Sequence, residues 1–482
     1  SLGSPSPFLI AGKKSYTVNR SIRGDDNQSS PHRLTRTIQS GGNRKKFTIS
    51  FWIKRSQLGN TSYSNSAGND GQTILHTVGE GNRGWFKFDT DDTLGFDQGY
   101  DSGGSGGRLT TTAKYRDTSA WYHILAVVDY ANSTAADRAK IFVNGVRQEV
   151  TIDNAFTDTD GKLNDNQQHE IGYTEYGQGY TGSSWWFNLF CGYMAEYYFI
   201  DGQALDPTSF TETNAATGQL LPKEYTGSFG TTGWYLEFKD NSAVTATTLG
   251  KDSSGNSNNW TPNGFSVSSG VNNDSLEDTP TLNYPTLNSN IGSGARSGAT
   301  PSNGNLDVAG TDESTNRATF VFGPGHITTG KWYWEVTSTG GTSGQRAGLT
   351  GDLTGSQGSS GVFFRQNNLS WFSSINYKKY TQTSETSDGS YSTGDVIGIA
   401  YSADDGEIQY YKNGSLALTD DTLPSVSTTE LHIFIFATNS GSNGWPTGSI
   451  NFGQRAFAYT PPTGYKKLNS VNLPDPTIKK PN

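Results

Sequence analysis

Carboxylates and histidines, from which most hydrolytic sites are built, are scattered along this sequence. Glu170 and Glu175 are five positions apart, as are Glu196 and Asp201, and odd spacing places two side chains on opposite faces of one regular strand. A glycanase needs two carboxylates that face each other across a cleft. The spacing therefore predicts a protein that is not an enzyme, and it leaves carboxylates contributed by separate strands as the alternative.

Motifs for other kinds of catalysis are missing from the sequence as well. The six histidines show no H-x-H or H-E-x-x-H spacing, and there is no G-x-S-x-G nucleophile elbow. His123 and His432 fall inside strand patterns, where a packed, hydrogen-bonded imidazole is expected. Cys191 is the only cysteine, so no disulfide can form within the chain, and we expect a buried thiol.

Tryptophans beside loop-like sequence are the candidate ligand-binding residues. Trp185 and Trp186 follow a Gly-Ser-Ser run, Trp371 comes shortly after two asparagines, and Trp445 lies between Gly444 and Pro446. The face of an exposed indole can stack on a sugar ring while nearby amides bind its hydroxyls. These four residues are predicted to contact a glycan or a protein partner; the alternative is that each anchors a core or a subunit interface.

Composition predicts that the elements positioning these residues are β-strands. There are 59 glycines, aromatic residues make up 12% and charged residues 17% of the chain, and aromatic runs broken by Gly, Ser, Asn and Thr favour an all-β fold. The formal charge of −9 argues against nucleic acid, which needs clustered Lys and Arg. No stretch approaches the ~20 apolar residues of a membrane span, so no membrane insertion is expected.

Strand and turn patterns divide the chain into five predicted segments. An N-terminal arm covers 1–14, a first sandwich 15–215, a Gly/Ser/Asn-rich connector with short strands 216–300, a second sandwich 301–468, and a C-terminal tail 469–482. In the first sandwich, Phe47–Ile53 alternates with period two, which predicts a half-buried strand, and Trp121–Val128 is apolar on both faces. Asn144-Gly145 predicts a two-residue hairpin, as Asn413-Gly414 does in the second sandwich. In the connector, Asp252–Asn256 predicts a turn, and the short strands of this segment are expected to pack on one or both sandwiches.

The N-terminal arm carries an apolar tip of three residues, Phe8, Leu9 and Ile10. Pro5 and Pro7 precede it and favour an extended backbone. We expect this tip to dock on a neighbouring subunit, and the alternative is a disordered terminus.

Three phrases in order, FTISFWIKRS, WYHILAVVDY and AKIFVNGV, resemble the laminin-G-like, concanavalin-A-like sandwich superfamily. The resemblance covers most of the first half and implies an antiparallel β-sandwich with a closing strand near Phe190–Leu205. In the second half, GKWYWEV, GDVIG and YYKNG resemble the SPRY (B30.2-like) sandwich nearly letter for letter. Together they imply two antiparallel sandwiches joined by a strand-containing connector.

The first resemblance also implies a calcium ion, which laminin-G-like domains often hold at the sandwich rim. The acidic turn containing Asp89, Asp91 and Asp92 offers oxygen ligands of suitable hardness, as do the pairs Asp158/Asp160 and Asp404/Asp405. None has EF-hand spacing, and acidic residues are also ordinary in hairpin turns. Calcium at Asp89, Asp91 and Asp92 is therefore one expectation and a simple turn is the other.

The pairing of the two domains and the phrases IDGQAL, NFGQRAFAYTPPTG and LPDPTI resemble tailed-bacteriophage structural proteins, especially marine ones. The resemblance implies a non-enzymatic virion protein of a tail fibre, tail appendage or head fibre. It implies partners among the other virion proteins, a homo-oligomer such as a trimer, contact with host-surface glycan, and synthesis in the infected bacterial cytoplasm. A carbohydrate-binding module or adhesin outside a virion is the alternative, followed by a glycan-depolymerising tail spike.

Overall fold

The computed structural model divides the chain into two compact units. The residues described are 16–25, 29–59, 71–78, 83–99, 106–176, 186–215, 217–288, 301–309, 317–321, 327, 329–340, 345–350, 361–366, 390–420, 432–437 and 447–473. Among them, the first unit comprises 16–268 and 272–283, and the second comprises 269–271 and 284–473. None of the described segments forms a helix long and apolar enough to cross a membrane.

The first unit consists of strands, with two 3₁₀ turns at Ala135–Asp137 and Pro207–Ser209. Its strands are β1 (Ser21–Gly24), β2 (Arg33–Thr37), β3 (Lys46–Arg55), β4 (Gln72–Thr77), β5 (Trp85–Phe88), β6 (Leu94–Asp97), β7 (Arg108–Thr111), β8 (Tyr122–Asp129), β9 (Ala139–Val143), β10 (Val146–Arg147), β11 (Val150–Asn154), β12 (Gln168–Ile171), β13 (Tyr173–Tyr176), β14 (Trp186–Leu189), β15 (Gly192–Asp201), β16 (Thr211–Thr213), β17 (Leu220–Pro222), β18 (Trp234–Leu236), β19 (Thr261–Asn263) and β20 (Ser275–Leu276).

Two eight-stranded antiparallel sheets form the sandwich of the first unit. Sheet 1 has the order β10-β9-β8-β3-β15-β1-β20, with β18 beside β15, and sheet 2 has the order β11-β7-β6-β5-β4-β12-β2-β19. The side chains of Phe47, Ile49, Phe51 and Ile53 on β3 enter the core between the sheets, where Phe51 meets Phe86 at 5.7 Å between ring centres. The predicted alternation of β3 is therefore confirmed, but the expected half-burial is wrong, because the residues on its other face are buried as well.

The outer face of sheet 1 carries a second apolar cluster. On β8, Ile124, Ala126 and Val128 belong to the core between the sheets, whereas Leu125 and Val127 pack on the other side against Tyr198, Ile200, Phe210 and Tyr235. Strand β8 is thus buried on both faces, as its continuous apolar sequence predicts.

Both Asn-Gly hairpins are present as predicted. Asn144 and Gly145 have φ of 50° and 78°, and Asn413 and Gly414 have φ of 49° and 80°, the left-handed backbone that such turns require. Each asparagine also accepts a hydrogen bond from a neighbouring strand: Asn144 Oδ1 from the His123 amide at 2.9 Å, and Asn413 Oδ1 from the Val396 amide at 2.9 Å.

Much of the segment predicted as a connector is paired with the sheets of the first unit. Strand β18 pairs with β15, β19 with β2 and β20 with β1. A buried ion pair between Lys54 Nζ and Asp278 Oδ2, 2.9 Å apart, fastens the end of this segment to β3. The expected packing of connector strands on a sandwich is therefore seen for β18, β19 and β20.

The second unit is also built of strands in two sheets. They are β21 (Leu287–Asn288), β22 (Asp307–Ala309), β23 (Arg317–Val321), β24 (Lys331–Gly340), β25 (Gln345–Thr350), β26 (Gly361–Gln366), β27 (Ser390–Tyr391), β28 (Val396–Ser402), β29 (Glu407–Lys412), β30 (Ser415–Asp420), β31 (His432–Ala437), β32 (Thr447–Asn451) and β33 (Lys466–Lys467). One sheet has the order β21-β23-β31-β25-β26-β27 and the other β22-β32-β24-β28-β29-β30, with β33 beside β24. The predicted all-β fold with two sandwiches is confirmed.

Packing of the second unit explains its K-W-Y-W-E-V and G-D-V-I-G phrases. The buried Glu335 carboxylate accepts hydrogen bonds from the amides of Ala458 (2.8 Å) and Tyr459 (2.9 Å) and from the Tyr333 hydroxyl at 3.2 Å. Gly398 lies opposite, where a Cβ would collide with the Tyr333 hydroxyl. The motif residues thus hold the chain after β32 in place.

Candidate functional site

An open polar cleft of about 490 Å³ lies at one edge of sheet 2 in the first unit. Residues 35–40 and Gln168 form one side, and residues 231–232, 257–259 and Thr261 form the other. Apart from Ile38 and Arg36, every side chain of this lining is a hydroxyl or a primary amide. Such groups donate and accept hydrogen bonds without carrying charge.

The floor of the cleft comes from two paired strands. Thr37 of β2 lies opposite Gln168 of β12, and Thr35 lies opposite Glu170. Because opposite residues of an antiparallel pair share a face, Thr35, Thr37 and Gln168 project on the same side of sheet 2. Thr261 of β19 continues this row, since it pairs with Thr35.

An Asn- and Ser-rich loop, residues 252–259, forms the second wall. The buried Asp252 carboxylate accepts hydrogen bonds from the amides of Tyr235 (2.8 Å), Ser254 (2.9 Å) and Asn258 (2.8 Å), and so folds the loop around itself. The Asn258 side-chain amide donates to the carbonyls of Thr231 at 3.1 Å and Gly233 at 2.8 Å. The loop is therefore fixed before any ligand arrives.

Arg36 ties the two sides of the cleft together. Its guanidinium donates to Asn258 Oδ1 at 2.5 Å and to the Thr232 carbonyl at 3.3 Å. Burial lowers its pKa to about 10, and the Asp252 carboxylate opposes that shift. Arg36 therefore keeps its positive charge at neutral pH, although most of its charge is directed to protein acceptors.

Thr232 is held by a network behind the cleft. Its hydroxyl donates to Asn164 Oδ1 at 2.6 Å, and Asn164 Nδ2 donates to Asp201 Oδ1 at 2.9 Å. Asp201 also accepts the Asn43 amide at 2.7 Å. Its carboxylate, part of the I-D-G-Q-A-L phrase, therefore positions a loop and is absent from the cleft lining.

Among the residues that the structure describes, none of those lining the cleft carries a carboxylate. Glu170 is buried beside the cleft and accepts a hydrogen bond from the Gln168 amide at 3.0 Å. Glycoside hydrolysis needs an acid and a second carboxylate on the two sides of the sugar. The side chains around this cleft can bind a polyhydroxylated molecule but provide no such pair.

The tryptophans predicted to bind ligand stay predictions. Trp186 begins β14, and its side chain lies outside the described parts of the structure. Trp185, Trp371 and Trp445 fall outside the described residues altogether, as do Phe8, Leu9 and Ile10 of the predicted docking arm.

The three acidic residues predicted to bind calcium each contact a different cation. Asp89 lies 3.1 Å from Lys87, Asp91 lies 3.1 Å from Lys114, and Asp92 bonds Arg55 at 3.0 Å and Arg116 at 2.8 Å. No group of three acidic, His or Cys residues suited to a metal occurs among the residues described. Calcium at this turn stays a prediction in which the ion must displace these partners.

The pKa values of two of these carboxyls fit their pairing with cations. Hydrogen bonds from Thr93 and then the Lys114 ammonium lower the pKa of Asp91. Burial raises the pKa of Asp92, but the Gly59 amide and the two guanidiniums outweigh it and leave that pKa below its ordinary value. Both side chains are therefore ionised and bonded at neutral pH.

Two predictions about buried residues are confirmed. Cys191 is buried. His123 is fully buried, its Nε2 lies 2.9 Å from the Ser50 hydroxyl, and burial lowers its pKa to about 3, so its imidazole is neutral at physiological pH. The side chain of His432 lies outside the described part of the structure.

Sequence reasoning missed the cleft residues Arg36, Gln168, Asn258 and Asn259. The signal in the sequence is the run DSSGNSNN at 252–259, whose polar side chains outnumber what one turn needs. Its partners on β2 and β12 are remote in sequence, so their position beside the run emerges only in the folded chain.

Two family models match separate parts of the chain. Residues 26–210 match the concanavalin A-like lectin/glucanases superfamily, and residues 331–454 match the SPRY domain. The chain therefore contains a laminin-G-like, concanavalin-A-like domain followed by a SPRY domain. These are binding-type folds, and the lectin fold fits a role in carbohydrate binding or adhesion.

Several solved structures are similar to parts of the chain, at low identity and low TM-score. Domains LG4-5 of the mouse laminin alpha1 chain are 10% identical, with a TM-score of 0.30 over 92% of this chain and 91% of theirs. A heptameric SAP-like pentraxin of Limulus polyphemus is 14% identical, with a TM-score of 0.27 over 40% of this chain and 80% of its own. The SPRY domain of human HERC1 is 14% identical, with a TM-score of 0.20 over 30% of this chain and 87% of its own. No curated protein sequence matches the chain.

Proposed function

We propose that this protein is a non-enzymatic adhesion protein whose first unit binds glycan in the polar cleft. The observation that carries the proposal is the lining of the cleft, which consists almost entirely of hydroxyl and amide side chains. Sugar hydroxyls both donate and accept hydrogen bonds, so a wall of Asn, Gln, Ser and Thr offers each hydroxyl a partner. The concanavalin-A-like lectin match over residues 26–210 supports this assignment.

Preorganisation of the cleft also supports binding. The 252–259 loop is fixed by Asp252 and by the Asn258 side-chain bonds, and Arg36 joins this loop to β2. Binding a flexible loop costs ordering free energy, whereas a fixed wall avoids most of that cost. The missing carboxylate pair is the reason for proposing a binder and not a hydrolase.

A polysaccharide array tests this function. The full chain is expected to bind a subset of bacterial surface polysaccharides, and Asn259→Ala and Gln168→Ala are each expected to weaken binding about tenfold, the value of one to two lost hydrogen bonds. Thr151→Ala is the matched control, because Thr151 is exposed on β11 at the opposite edge of sheet 2. Binding that survives both cleft variants unchanged contradicts the proposal.

We further propose that the protein works in the virion of a tailed bacteriophage, as part of a tail fibre, tail appendage or head fibre that contacts host-surface glycan. The order of the two domains and the C-terminal phrases N-F-G-Q-R-A-F and L-P-D-P-T-I support this assignment. Such appendages are homo-oligomers, commonly trimers, and their partners are other virion proteins. An adhesin outside a virion is the second candidate, and a depolymerase is the third.

Antibody-gold labelling of purified virions tests the location. Label at the distal tail is expected if the cleft contacts the host, and label on the capsid or tail base assigns the protein to decoration or scaffold. Virions that contain none of this chain, by labelling and by mass spectrometry, contradict the virion assignment and leave the adhesin.

A further inference from the structure

A row of hydrogen bonds leads from the cleft into sheet 2. Gln168 Nε2 donates to Glu170 Oε1 at 3.0 Å, and Glu170 Oε2 lies 3.1 Å from His76 Nε2. His76 Nδ1 lies 2.7 Å from the Thr77 carbonyl oxygen. His76 and Glu170 are buried at 3% and 4% exposure, so solvent does not compete with these bonds.

The direction of each hydrogen bond follows from its last acceptor. A carbonyl oxygen can only accept, so His76 Nδ1 carries a proton and donates it to Thr77. The contact between His76 Nε2 and Glu170 Oε2 then needs one more proton, which either of these two atoms can carry. In both cases Glu170 Oε1 has no proton and can only accept. Gln168 must therefore present its NH₂ group to Glu170.

This orientation decides what Gln168 offers the cleft. With Nε2 directed at Glu170, the carbonyl oxygen Oε1 is left for the cleft, and within the described residues nothing donates to it. On the opposite wall, Asn259 Oδ1 accepts the Asp252 amide at 2.8 Å, which leaves the Asn259 NH₂ group as a donor. Gln168 thus offers the cleft an acceptor, and Asn259 offers it a donor.

We propose that the cleft selects neutral pyranosides in which one ring hydroxyl donates to Gln168 Oε1 and another accepts from Asn259 Nδ2, with Glu170 and His76 as positioning residues that fix the Gln168 amide. The inference rests on the proposed glycan-binding function and specifies it. Neutral sugars are favoured because the described lining holds no carboxylate, and Arg36, the one cation among these lining residues, is already bonded to Asn258 and Thr232. A polar site rejects ligands that leave its buried groups unpaired.

Methyl pyranosides and their deoxyfluoro analogues are the probes for this inference, titrated into the full chain and followed by ligand-observed NMR. Fluorine can accept weakly but cannot donate, so at one ring position the fluoro analogue is expected to bind the wild type about tenfold more weakly than the hydroxyl parent. Gln168→Ala is expected to bind that pair equally. The wild-type comparison needs no variant and so stands even if a substitution disturbs folding.

Glu170 provides a matched pair of variants. In Glu170→Gln, the new side chain can still accept from Gln168 and donate to a neutral His76, so the fluoro discrimination is expected to remain. In Glu170→Ala nothing fixes the Gln168 amide, and the discrimination is expected to fall at least threefold. A purely structural role of Glu170 would alter affinity for both sugars alike and leave their ratio unchanged.

The outcomes separate the inference from the function on which it rests. If pyranosides bind but the hydroxyl and fluoro sugars differ in affinity at no ring position, Gln168 does not accept a hydrogen bond from a sugar hydroxyl. The same follows if Glu170→Ala keeps the wild-type ratio of these two affinities. After either result, glycan binding by the cleft stands. If no pyranoside binds the full chain and the polysaccharide array is also blank, glycan binding by the cleft fails and this inference fails with it.

Discussion

Replacing Asp278 by asparagine is expected to lower the free energy of unfolding of the first unit by about 3–5 kcal/mol, the usual cost of breaking a buried ion pair. Lys54 and Asp278 are both fully buried, with Nζ and Oδ2 2.9 Å apart. Burial lowers the pKa of Lys54 while the Asp278 carboxylate opposes that shift. Without the carboxylate, the buried ammonium keeps the Asn283 side-chain oxygen at 2.8 Å but loses the negative charge that it is paired with.

Asparagine is the informative substitution because Asp278 has a second partner. Its Oδ1 accepts the indole N–H of Trp121 at 3.0 Å, and an asparagine can retain that bond. The double variant Lys54→Met/Asp278→Asn removes the uncompensated charge and is expected to recover more than half of the loss. Denaturant unfolding of the full chain, followed by hydrogen exchange of the β3 amides, measures the stability of the single and the double variant. An Asp278→Asn chain whose free energy of unfolding is within about 1 kcal/mol of the wild type would contradict the account.

Glu196→Gln is expected to remove the pH dependence of stability that a second buried site causes. Glu196 is 3% exposed and accepts hydrogen bonds from the hydroxyls of Tyr16 (2.9 Å), Tyr198 (2.9 Å) and Tyr235 (2.8 Å). Burial raises its pKa to about 7; the three tyrosines oppose that shift and Glu237 adds to it. The fold therefore favours the protonated carboxyl.

The sign of the stability effect follows from this pKa. Between the ordinary glutamate value of 4.5 and about 7, the folded chain holds a proton that the unfolded chain has released. The contribution of Glu196 to the free energy of unfolding is thus greatest below pH 4.5. It falls by on the order of 3 kcal/mol as the pH rises through this window. The neutral Glu196→Gln chain lacks this fall, so its stability relative to the wild type is expected to rise between pH 4.5 and pH 7.5. Hydrogen exchange of the β15 amides measures this relative stability at both pH values. If the difference between variant and wild type is the same at pH 4.5 and pH 7.5, Glu196 is ionised in the folded chain over the whole range and the account is contradicted.

At Glu196, the alternating pattern of a regular strand no longer predicts on which face of β15 a side chain lies. Regular alternation puts Glu196 and Asp201 on opposite faces of one strand, but β15 changes register between Ala195 and Tyr198, and Glu196 has a left-handed φ of 52°. A bulge adds one residue to a strand and resets its alternation. The two carboxylates instead serve separate networks, one with tyrosines and one with Asn43 and Asn164.

Local signals in the sequence predicted the fold well. Alternation on β3, the two-faced burial of β8 and both Asn-Gly turns depend on neighbouring residues, and all are present. The pairing of β19 with β2 and of β20 with β1 joins residues that are remote in sequence, and the bond between Lys54 and Asp278 spans 224 positions. The sequence predicted that strands of this polar, glycine-rich segment pack on a sandwich, but their partner strands and their part in forming the cleft could not be predicted.

Glycan binding in the cleft is tested most directly by a crystal structure of the full chain soaked with a pyranoside that binds in solution. The account predicts a sugar ring between β2 and the 252–259 loop, with one hydroxyl at hydrogen-bond distance from Gln168 Oε1 and another from Asn259 Nδ2. A sugar bound elsewhere, for example stacked on Trp186 or Trp371 with the cleft empty, would contradict it and return the tryptophans to first place as the glycan-binding residues.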